Sequence, residues 1–548
     1  MAGESRAGWP GRVGRGYREG RIGGKAGPAA ARPAGEAARV RTPATVGIDV
    51  GTSGTKGLLL AEDGRVLARA AAEYPLLTPR PGWTEQDPEA WWHAALAVLR
   101  QLTAASPSAE VVGVGLSGQM HGSVFLDGTG RVIRPALLWN DARTGPECAE
   151  IERRLGRERV LRITGNLASA GFQAPKILWL ARHEPEAYAR VARVLLPKDL
   201  IRLRLTGEAA TDAADASGTL LLDLSTRRYS DEMLAALDVP ATWLPPVFEG
   251  VEVTGRVTAD AAAACGLPEG VPVVAGGGDN ACAAIGAGVI AAGQGACSLG
   301  TSGTIFLRAH EPVVDPDGSL NAFCDAAGGW HLMGVILSAG GALRWFVDNV
   351  AGAEAEGLRK RGGDAFGVLV EEALALPPGA DGLLFLPYLA GERSPHMDAA
   401  ARGAWVGLSL AHDRRHMLKA LVEGVGCAFA DCLERMRGLG LEPGRLSLVG
   451  GGARSPAWRR LLAAQLGAEL DASAAEDGPA LGAAILARVG AGLDPDLASA
   501  VARAVPLPVE AAAVPDPALA RAMGEVHRRY QALYPALKGA GMFGRGDG

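Results

Sequence analysis

One five-residue segment occurs twice in this chain of 548 residues and constrains its fold more than any other feature. Gly51-Thr52-Ser53-Gly54-Thr55 recurs unchanged as Gly300-Thr301-Ser302-Gly303-Thr304, 249 residues later. Each copy follows a short β-type run and precedes another, which predicts a strand–turn–strand hairpin. Because the same context accompanies both copies, the chain is predicted to contain two homologous domains.

The two turns have the composition of a phosphate-binding site. Glycines allow backbone N–H groups to converge on anionic oxygens, and threonine and serine hydroxyls add further donors. If the turns face each other across a cleft, they would hold a polyphosphate between Thr52 and Ser53 on one side and Thr301 and Ser302 on the other. For either copy taken alone, an ordinary hairpin turn is the alternative.

Asp49 stands just before the first turn. A carboxylate beside phosphate oxygens is repulsive unless a cation lies between them. Mg²⁺ is a suitable cation, and it is usually reached through water because it loses its hydration shell reluctantly. Asp49 is therefore a candidate Mg²⁺ residue, and a simple cap of the turn is the alternative.

Two further glycine clusters follow predicted strands. The strand Arg445–Val449 leads into a glycine turn over 450–454 and a helix that opens at Ser455 and Pro456. Such a turn lets the backbone lie against a base and ribose, or it is a plain strand–helix turn. The apolar run Val271–Ala275 leads through three glycines to Asp279. Burial there would raise the pKa of Asp279 and suit it to accept a proton; a helix cap is the alternative.

Several other function classes lack support in the sequence. No GxxxxGK[ST] segment is present, which excludes a P-loop. The segment Gly113–Gly118 matches GxGxxG, but the residues after it lack the pattern of the helix that a dinucleotide site needs. Residues 1–42 carry a net charge of +6 and the remainder −11, so the body has no positive field for nucleic acid.

The uncharged stretch from Asn280 to Leu307 is interrupted throughout by polar residues and glycines. It is expected to form buried turns and short strands rather than a membrane helix. Seven cysteines without a CxxC pair suggest neither a zinc site nor a disulfide framework, and they fit a reducing cytoplasm.

The first 43 residues carry no hydrophobic periodicity and are expected to form a disordered extension. A transit peptide is an alternative for this arginine-rich segment, although it lacks a clear amphipathic face. From Thr45 onward, strands such as Thr45–Val50 and Glu110–Leu116 alternate with helices such as the one that Asp87 and Pro88 open. This alternation predicts the α/β class.

These motifs, in this order, resemble the FGGY family of carbohydrate kinases within the sugar kinase–actin–Hsp70 superfamily. The matching segments are DVGTSGTKG (49–57), GGGDNA (276–281), LGTSGT (299–304), GGGARS (450–455) and DGPALGAA (477–484). The resemblance implies two duplicated α/β domains, actin-like and ribonuclease H-like, with a cleft between them. Within the family, GWTEQDPEAWW (82–92), GLSGQMHG (115–122), LLWNDART (137–144) and LPYLAGERSPH (386–396) are most similar to the bacterial xylulokinases.

The resemblance also implies roles for individual residues. ATP would lie between the domains with Mg²⁺ near Asp49, and Asp279 would take the proton from the terminal hydroxyl, 5-OH in xylulose, as that oxygen attacks the γ-phosphorus. The residues implied in phosphate and adenosine binding are Thr52, Ser53, Thr301, Ser302, Gly451, Gly452 and Arg454. The residues implied in sugar binding are Met120, His121, Asp279 and Asn280.

The expected organisation is an extension over 1–43, an N-terminal domain over 44–290, a C-terminal domain over 291–492, and a helical segment with a tail over 493–548. The expected partner is a small sugar, with neither nucleic acid nor membrane, and the oligomeric state, a homodimer included, stays open. Three alternatives remain: an FGGY kinase for another ketose or polyol such as ribulose, a non-catalytic sugar sensor of this fold, and a nicotinamide dehydrogenase that uses Gly113–Gly118.

Overall fold

The computed structural model describes residues 41–472, 477–505 and 512–543, apart from the side chain of Ala453. Its strands, in chain order, are β1 (Thr42–Val50), β2 (Gly54–Ala61), β3 (Val66–Glu73), β4 (Glu85–Gln86), β5 (Ala109–Gly118), β6 (Val124–Leu126), β7 (Ala136–Leu137), β8 (Arg193–Leu195), β9 (Thr211–Asp212), β10 (Leu222–Asp223), β11 (Arg228–Tyr229), β12 (Val247–Phe248), β13 (Val253–Arg256), β14 (Pro272–Val274), β15 (Gly277–Gly278), β16 (Gln294–Leu299), β17 (Gly303–Ala309), β18 (Asn321–Cys324), β19 (Trp330–Ile336), β20 (Leu384–Leu386), β21 (Ala404–Val406), β22 (Arg445–Val449) and β23 (Glu469–Ala472).

The α-helices alternate with these strands. In chain order they are α1 (Pro88–Ala105), α2 (Gly145–Leu155), α3 (Arg157–Thr164), α4 (Gln173–His183), α5 (Pro185–Tyr188), α6 (Pro197–Thr206), α7 (Ala213–Ser217), α8 (Asp231–Ala236), α9 (Ala259–Cys265), α10 (Asp279–Gly286), α11 (Gly340–Asn349), α12 (Gly352–Lys360), α13 (Ala365–Leu374), α14 (Arg414–Gly438), α15 (Pro456–Leu466), α16 (Gly478–Gly490), α17 (Leu497–Ala504), α18 (Pro517–Gln531) and α19 (Leu533–Gly539).

Two mixed sheets share one topology. The first has the order β13-β14-β5-β1-β2-β3, and the second has the order β18-β19-β17-β16-β22-β23. In each sheet the hairpin strands are antiparallel, β1 with β2 and β16 with β17, while β1 runs parallel to β5 and β16 runs parallel to β22. Superposing β3-β2-β1-β5-β14 on β19-β17-β16-β22-β23 therefore matches every neighbour, so the duplication predicted from the repeat is confirmed.

Helices α1 and α16 cover opposite faces of the first sheet, and glycines allow α16 to approach closely. A Cβ on Gly47 would lie 1.9 Å from the Ala480 oxygen, and one on Gly115 would lie 1.8 Å from the Ala483 oxygen. On the other face, a Cβ on Gly57 would lie 2.6 Å from the Val98 side chain of α1. Helix α16, although late in the sequence, thus belongs to the packing of the first sheet.

The sequence patterns predicted most of these elements. The strand β22, the helix α15 and the capping of α1 by Asp87, whose side chain accepts the Glu89 N–H, are confirmed. The start of the first strand was predicted too late: β1 begins at Thr42, and Thr42 and Pro43 pair with Ala109 and Glu110 instead of belonging to the extension. A Thr-Pro-Ala start has little β character by itself, so the partner strand determines it.

The stretch from Asn280 to Leu307 folds as most of α10 followed by β16 and β17. The expected short strands are present, and the helix is an element that the expectation of turns and strands did not include. None of the helices within the described ranges combines the length and apolar character needed to cross a bilayer. Residues 1–40 of the predicted extension lie outside the described residues.

Candidate active site

The first turn, Gly51 to Ser53, connects β1 to β2, and its carbonyl groups are held by the protein. The Tyr74 hydroxyl donates to the Gly51 oxygen at 2.6 Å, and the Gln86 amide donates to the Thr52 oxygen at 2.6 Å. The Trp139 indole N–H donates to the Thr52 hydroxyl at 3.0 Å. Within the described residues, the Thr52 and Ser53 amides have no acceptor. Such a turn presents N–H groups, and not carbonyl oxygens, to an anion.

The second turn, Gly300 to Ser302, is built in the same way from different neighbours. The Gly300 oxygen accepts the Gly340 N–H at 2.8 Å, and the Thr301 oxygen accepts the Ala339 and Gly341 N–H groups at 3.1 and 2.9 Å. Thr301 and Ser302 are exposed. The paired glycines are required here, because a Cβ on Gly340 would lie 2.5 Å from the Gly300 oxygen.

The predicted adenosine loop lies beside the second turn. Since β16 and β22 are parallel, with Ser298 opposite Val449, their carboxyl ends meet at one edge of the sheet. Gly450 has a φ of 95°, and a Cβ there would lie 2.6 Å from the Leu299 oxygen. Gly451 and Arg454 are exposed beyond this contact, and Gly452 packs on Leu299. The second turn and this loop therefore form one continuous surface.

Asp49 is buried near the carboxyl end of β1. The Ser117 hydroxyl, its neighbour across the β1–β5 pair, donates to Asp49 Oδ1 at 3.0 Å. Burial raises the pKa of Asp49 to about 6, and the Ser117 hydrogen bond and the charge of Lys56 oppose the rise. Asp49 Oδ2 is left beside Gly51 of the first turn. A carboxylate oxygen in this position is the donor type that Mg²⁺ prefers.

Asp279 begins α10, and the sheet register brings it close to Asp49. Strand β15 pairs with β5 so that Gly277 lies opposite Ser117, which itself lies opposite Asp49. Burial raises the pKa of Asp279 to about 7, and the charge of Asp49 adds to the rise. The Asn280 backbone and side-chain N–H groups oppose it by donating to Asp279 Oδ1 at 2.7 and 3.1 Å. Gly278 is the N-cap of α10, and Asp279 is the first residue of the helix.

Met120 lies close to the start of α10, and His121 follows it in the chain. A Cβ on Gly278 would be 2.7 Å from Met120 Cγ, so the methionine lies against the residue that precedes Asp279. His121 has a φ of 68°, a conformation that non-glycine residues rarely adopt and that is often found at functional sites. Its ring lies 4.8 Å from the Phe172 ring in an edge-to-face arrangement.

The protonation of His121 is fixed by its surroundings. Burial lowers its pKa to about 3, so the ring is neutral at physiological pH. Nδ1 lies 2.7 Å from the Gly218 oxygen, which can only accept, and Nδ1 therefore carries the proton. Nε2 is left as a hydrogen-bond acceptor for a hydroxyl group. The site therefore contains a neutral acceptor, His121 Nε2, in addition to two carboxylates with raised pKa values, Asp49 and Asp279.

The family models match this arrangement along the chain. The N-terminal domain of the FGGY family of carbohydrate kinases matches residues 44–286, and the C-terminal domain of the same family matches residues 295–491. The chain belongs to the FGGY family of carbohydrate kinases. Each matched region contains one of the two sheets with its turn.

Similar proteins come from several bacteria. The chain is 42% identical to the xylulose kinase of Escherichia coli K12 over 498 residues, which covers 90% of this chain and 99% of that protein. A crystal structure described as a xyloylose kinase from Brucella ovis has a TM-score of 0.82 at 38% identity and covers 90% and 99% of the two chains. A gluconate kinase from Lactobacillus acidophilus has a TM-score of 0.83 at 26% identity, with 90% and 98% covered.

The contacts of this FGGY kinase place the predicted residues in two groups. One group contains the first turn with Asp49, Asp279, Met120 and His121. The other group contains the second turn with Gly450–Arg454. The predicted set did not include residues that hold these groups in place, namely Tyr74, Gln86, Gln119, Trp139, Gly218, Gly340 and Gly341. Gln86, Gln119 and Trp139 fall inside the xylulokinase-like segments, and this position is the sequence signal that could have identified them.

A buried charge cluster supports the His121 side of the site. Lys198 Nζ lies 2.6 Å from Asp199, 2.6 Å from Asp212 and 3.2 Å from Asp215. Asp212 caps α7 by accepting the Asp215 N–H, and Gly218, the C-cap residue after α7, supplies the acceptor for His121 Nδ1. The charges of the cluster therefore hold the helix that orients the His121 ring.

Proposed function

We propose that this FGGY kinase transfers the γ-phosphoryl group of ATP to the 5-hydroxyl of D-xylulose. The single observation that carries the proposal is the Asp279 carboxylate, which is partly buried, has a pKa raised to about 7, and lies beside Asp49 and Met120. A base with a pKa near the working pH is suited to receive a proton during the transfer. The similarity to xylulose kinases over 90% of the chain supports the choice of sugar.

The chain's own groups account for the steps. The sugar lies against Met120, His121 and Asn280, with His121 Nε2 accepting one hydroxyl hydrogen bond. The acceptor hydroxyl gives its proton to Asp279 as its oxygen attacks the γ-phosphorus in line. Phosphoryl transfer requires little covalent help, so alignment and charge stabilisation supply most of the rate.

The nucleotide is proposed to span the two groups of residues. The open amides of the two turns, with the hydroxyls of Thr52, Ser53, Thr301 and Ser302, bind the phosphates. The glycine loop with Gly451, Gly452 and Arg454 binds the adenosine end, since it continues the surface of the second turn. Closure of the domains on both substrates excludes water, which would otherwise accept the phosphoryl group.

Asp49 is proposed to hold Mg²⁺, through water. The fit rests on its buried carboxylate, its raised pKa and the position of Oδ2 beside the first turn. A bound cation would neutralise phosphate charge and favour the ionised form of the carboxylate. The seven cysteines are all unpaired, which agrees with the proposed cytoplasmic location.

The test is ADP release from Mg·ATP with a panel of acceptors: D-xylulose, D-ribulose, xylitol, D-gluconate and glycerol. The proposal expects the highest kcat/KM with D-xylulose and a loss of at least about 100-fold for Asp279→Asn. A higher kcat/KM with D-ribulose or D-gluconate would reassign the sugar and keep the kinase. Sugar binding without ADP release from any acceptor would indicate a non-catalytic sensor.

A further inference from the structure

Arg393 lies between β20 and β21, and none of the roles proposed above uses it. Its side chain is only partly exposed, and within the described residues no hydrogen bond, ion pair or ring contact is made by its guanidinium group. Withdrawal of a guanidinium from water is costly unless acceptors replace the water. An arginine held in this state is suited to receive acceptor oxygens from a ligand.

The backbone on both sides of Arg393 is fixed. Glu392 Oε1 accepts the Leu337 N–H at 3.0 Å and the Arg393 N–H at 2.7 Å, and the Ser394 N–H donates to the Val335 oxygen at 2.9 Å. The adjacent carboxyl group is therefore engaged with backbone N–H groups and does not pair with the guanidinium. Burial raises the pKa of Glu392 to about 8, which further reduces its negative charge at neutral pH.

The strand beside this segment forms a wall of the sugar site. Val335 packs on the apolar cluster that contains Met120 and Phe323. The Phe323 ring in turn lies 6.0 Å from the His121 ring. The C-terminal domain thus reaches the sugar site through β18 and β19, and Arg393 is attached to this wall.

The electrostatics distinguish the two ends of the site. The charge of Arg393 contributes to the lowered pKa of His121, whereas the charge that acts on Asp279 is that of Asp49. The contacts that lead from Ser394 to Val335 and from Phe323 to His121, together with this effect of its charge, place Arg393 at the His121 end of the site. In a ketopentose phosphorylated at its 5-hydroxyl, the end away from the acceptor carries the C2 ketone.

We propose that Arg393 binds the ketone end of the sugar, with its N–H groups donating to the C2 oxygen and a neighbouring hydroxyl. A planar guanidinium offers two parallel donors, which suits adjacent oxygens. Arg393 then selects ketoses over the corresponding polyols, and it makes sugar binding depend on the C-terminal domain. The inference rests on the proposed function, since the position of the ketone follows from transfer to the 5-hydroxyl.

The test compares Arg393→Met and Arg393→Lys with a matched control, Arg402→Met. Arg402 belongs to the same segment and is exposed, and among the described residues it donates only to the Ala399 and Ala401 oxygens. Arg393→Met is expected to raise the KM for D-xylulose by about 10- to 150-fold, the value of a hydrogen bond to a charged group, with the KM for ATP within about twofold. The preference for D-xylulose over xylitol should fall by about tenfold.

Arg393→Lys keeps the charge and loses the paired donors, so its KM for the sugar should lie between those of the wild type and Arg393→Met. Arg402→Met should match the wild type. An unchanged sugar KM in Arg393→Met would overturn the inference, and so would a rise in the ATP KM alone, which would place Arg393 at the phosphates. Should the wild type prefer another acceptor, the proposed sugar fails separately, and the same variants are then measured with that acceptor. An unchanged KM there would refute Arg393 as a sugar ligand.

Discussion

Replacement of Asp279 by asparagine provides a quantitative test of the catalytic base. The substitution keeps the size of the side chain and removes its ability to take a proton. A positioned general base contributes about 100- to 10,000-fold to the rate, so kcat is expected to fall by that factor. Binding of Mg·ATP should change little, because the two turns and the loop at Gly450 are built from other segments.

The pH dependence gives the sharper result. With a pKa of about 7, Asp279 accepts a proton only when ionised, so the wild-type rate should fall about tenfold for each pH unit below 7. Rates measured with both substrates well below their KM report the pKa of Asp279 in the free enzyme. Under saturation, Mg²⁺ bound near Asp49 as proposed would reduce the negative charge that Asp279 experiences, and the fall in kcat should then begin at a lower pH.

The residual rate of the Asp279→Asn protein should lack this fall near pH 7, and protonation of Asp49, with its pKa of about 6, should lower it only at more acidic pH. A coupled ADP assay over this range, with the nucleotide affinity measured by titration calorimetry, checks each part. Residual activity within tenfold of the wild type, or the same acid limb in the variant, would refute the role of Asp279 as the base. A comparable loss of nucleotide binding would instead indicate a structural role.

Four further outcomes are expected. Asp279→Asn should raise the Tm at pH 8 but not near pH 4. Ionisation of Asp279 destabilises the folded wild type as the pH rises from about 4 to 7, because its pKa is higher in the folded state than in the unfolded state, and thermal unfolding at pH 4 and pH 8 tests this. His121→Ala should raise the sugar KM more than the ATP KM, and the effect should be constant from pH 5 to 9, since the ring is neutral throughout; equal effects on both constants in steady-state kinetics would contradict it. Lys198→Met should cost about 3–5 kcal/mol in urea unfolding, since it leaves three buried carboxyl groups without their shared cation. Gly450→Ala should raise the ATP KM through contact with the Leu299 oxygen, while Gly444→Ala, which has room for a methyl group, should behave as the wild type.

The repeat made the fold predictable because each copy marks the turn after a central strand and therefore indicates the order of the strands around it. A hairpin turn at the end of a central strand, found twice, already implied two sheets with equivalent neighbours, and the matched orders confirm it. The helix α15 was predictable because Ser455 and Pro456 are local signals. The early start of β1 was not, since Thr42 and Pro43 become strand residues only through pairing with β5.

The site was partly predictable for a similar reason. The glycines and the carboxylates carry local signals, and the structure gives Asp279 the raised pKa that its apolar surroundings predicted. Contacts between distant segments carry no such signal. The acceptor of His121 Nδ1 is the Gly218 backbone oxygen, 97 residues away in the chain. Backbone acceptors leave no mark on residue type, so only the folded chain shows them.

The proposed phosphate-binding turns and the proposed sugar-binding residues are attached to different kinds of structure. Each turn is the tip of a hairpin inside a sheet, whereas Met120, His121, Gly218 and Arg393 lie on segments outside the two large sheets. Loops can exchange residues without disturbing the hydrogen-bonded strands beneath them. A chain of this design can therefore acquire a new acceptor by altering a few loop positions while its nucleotide chemistry is inherited intact, and laboratory selection for new sugars should yield changes in those loops.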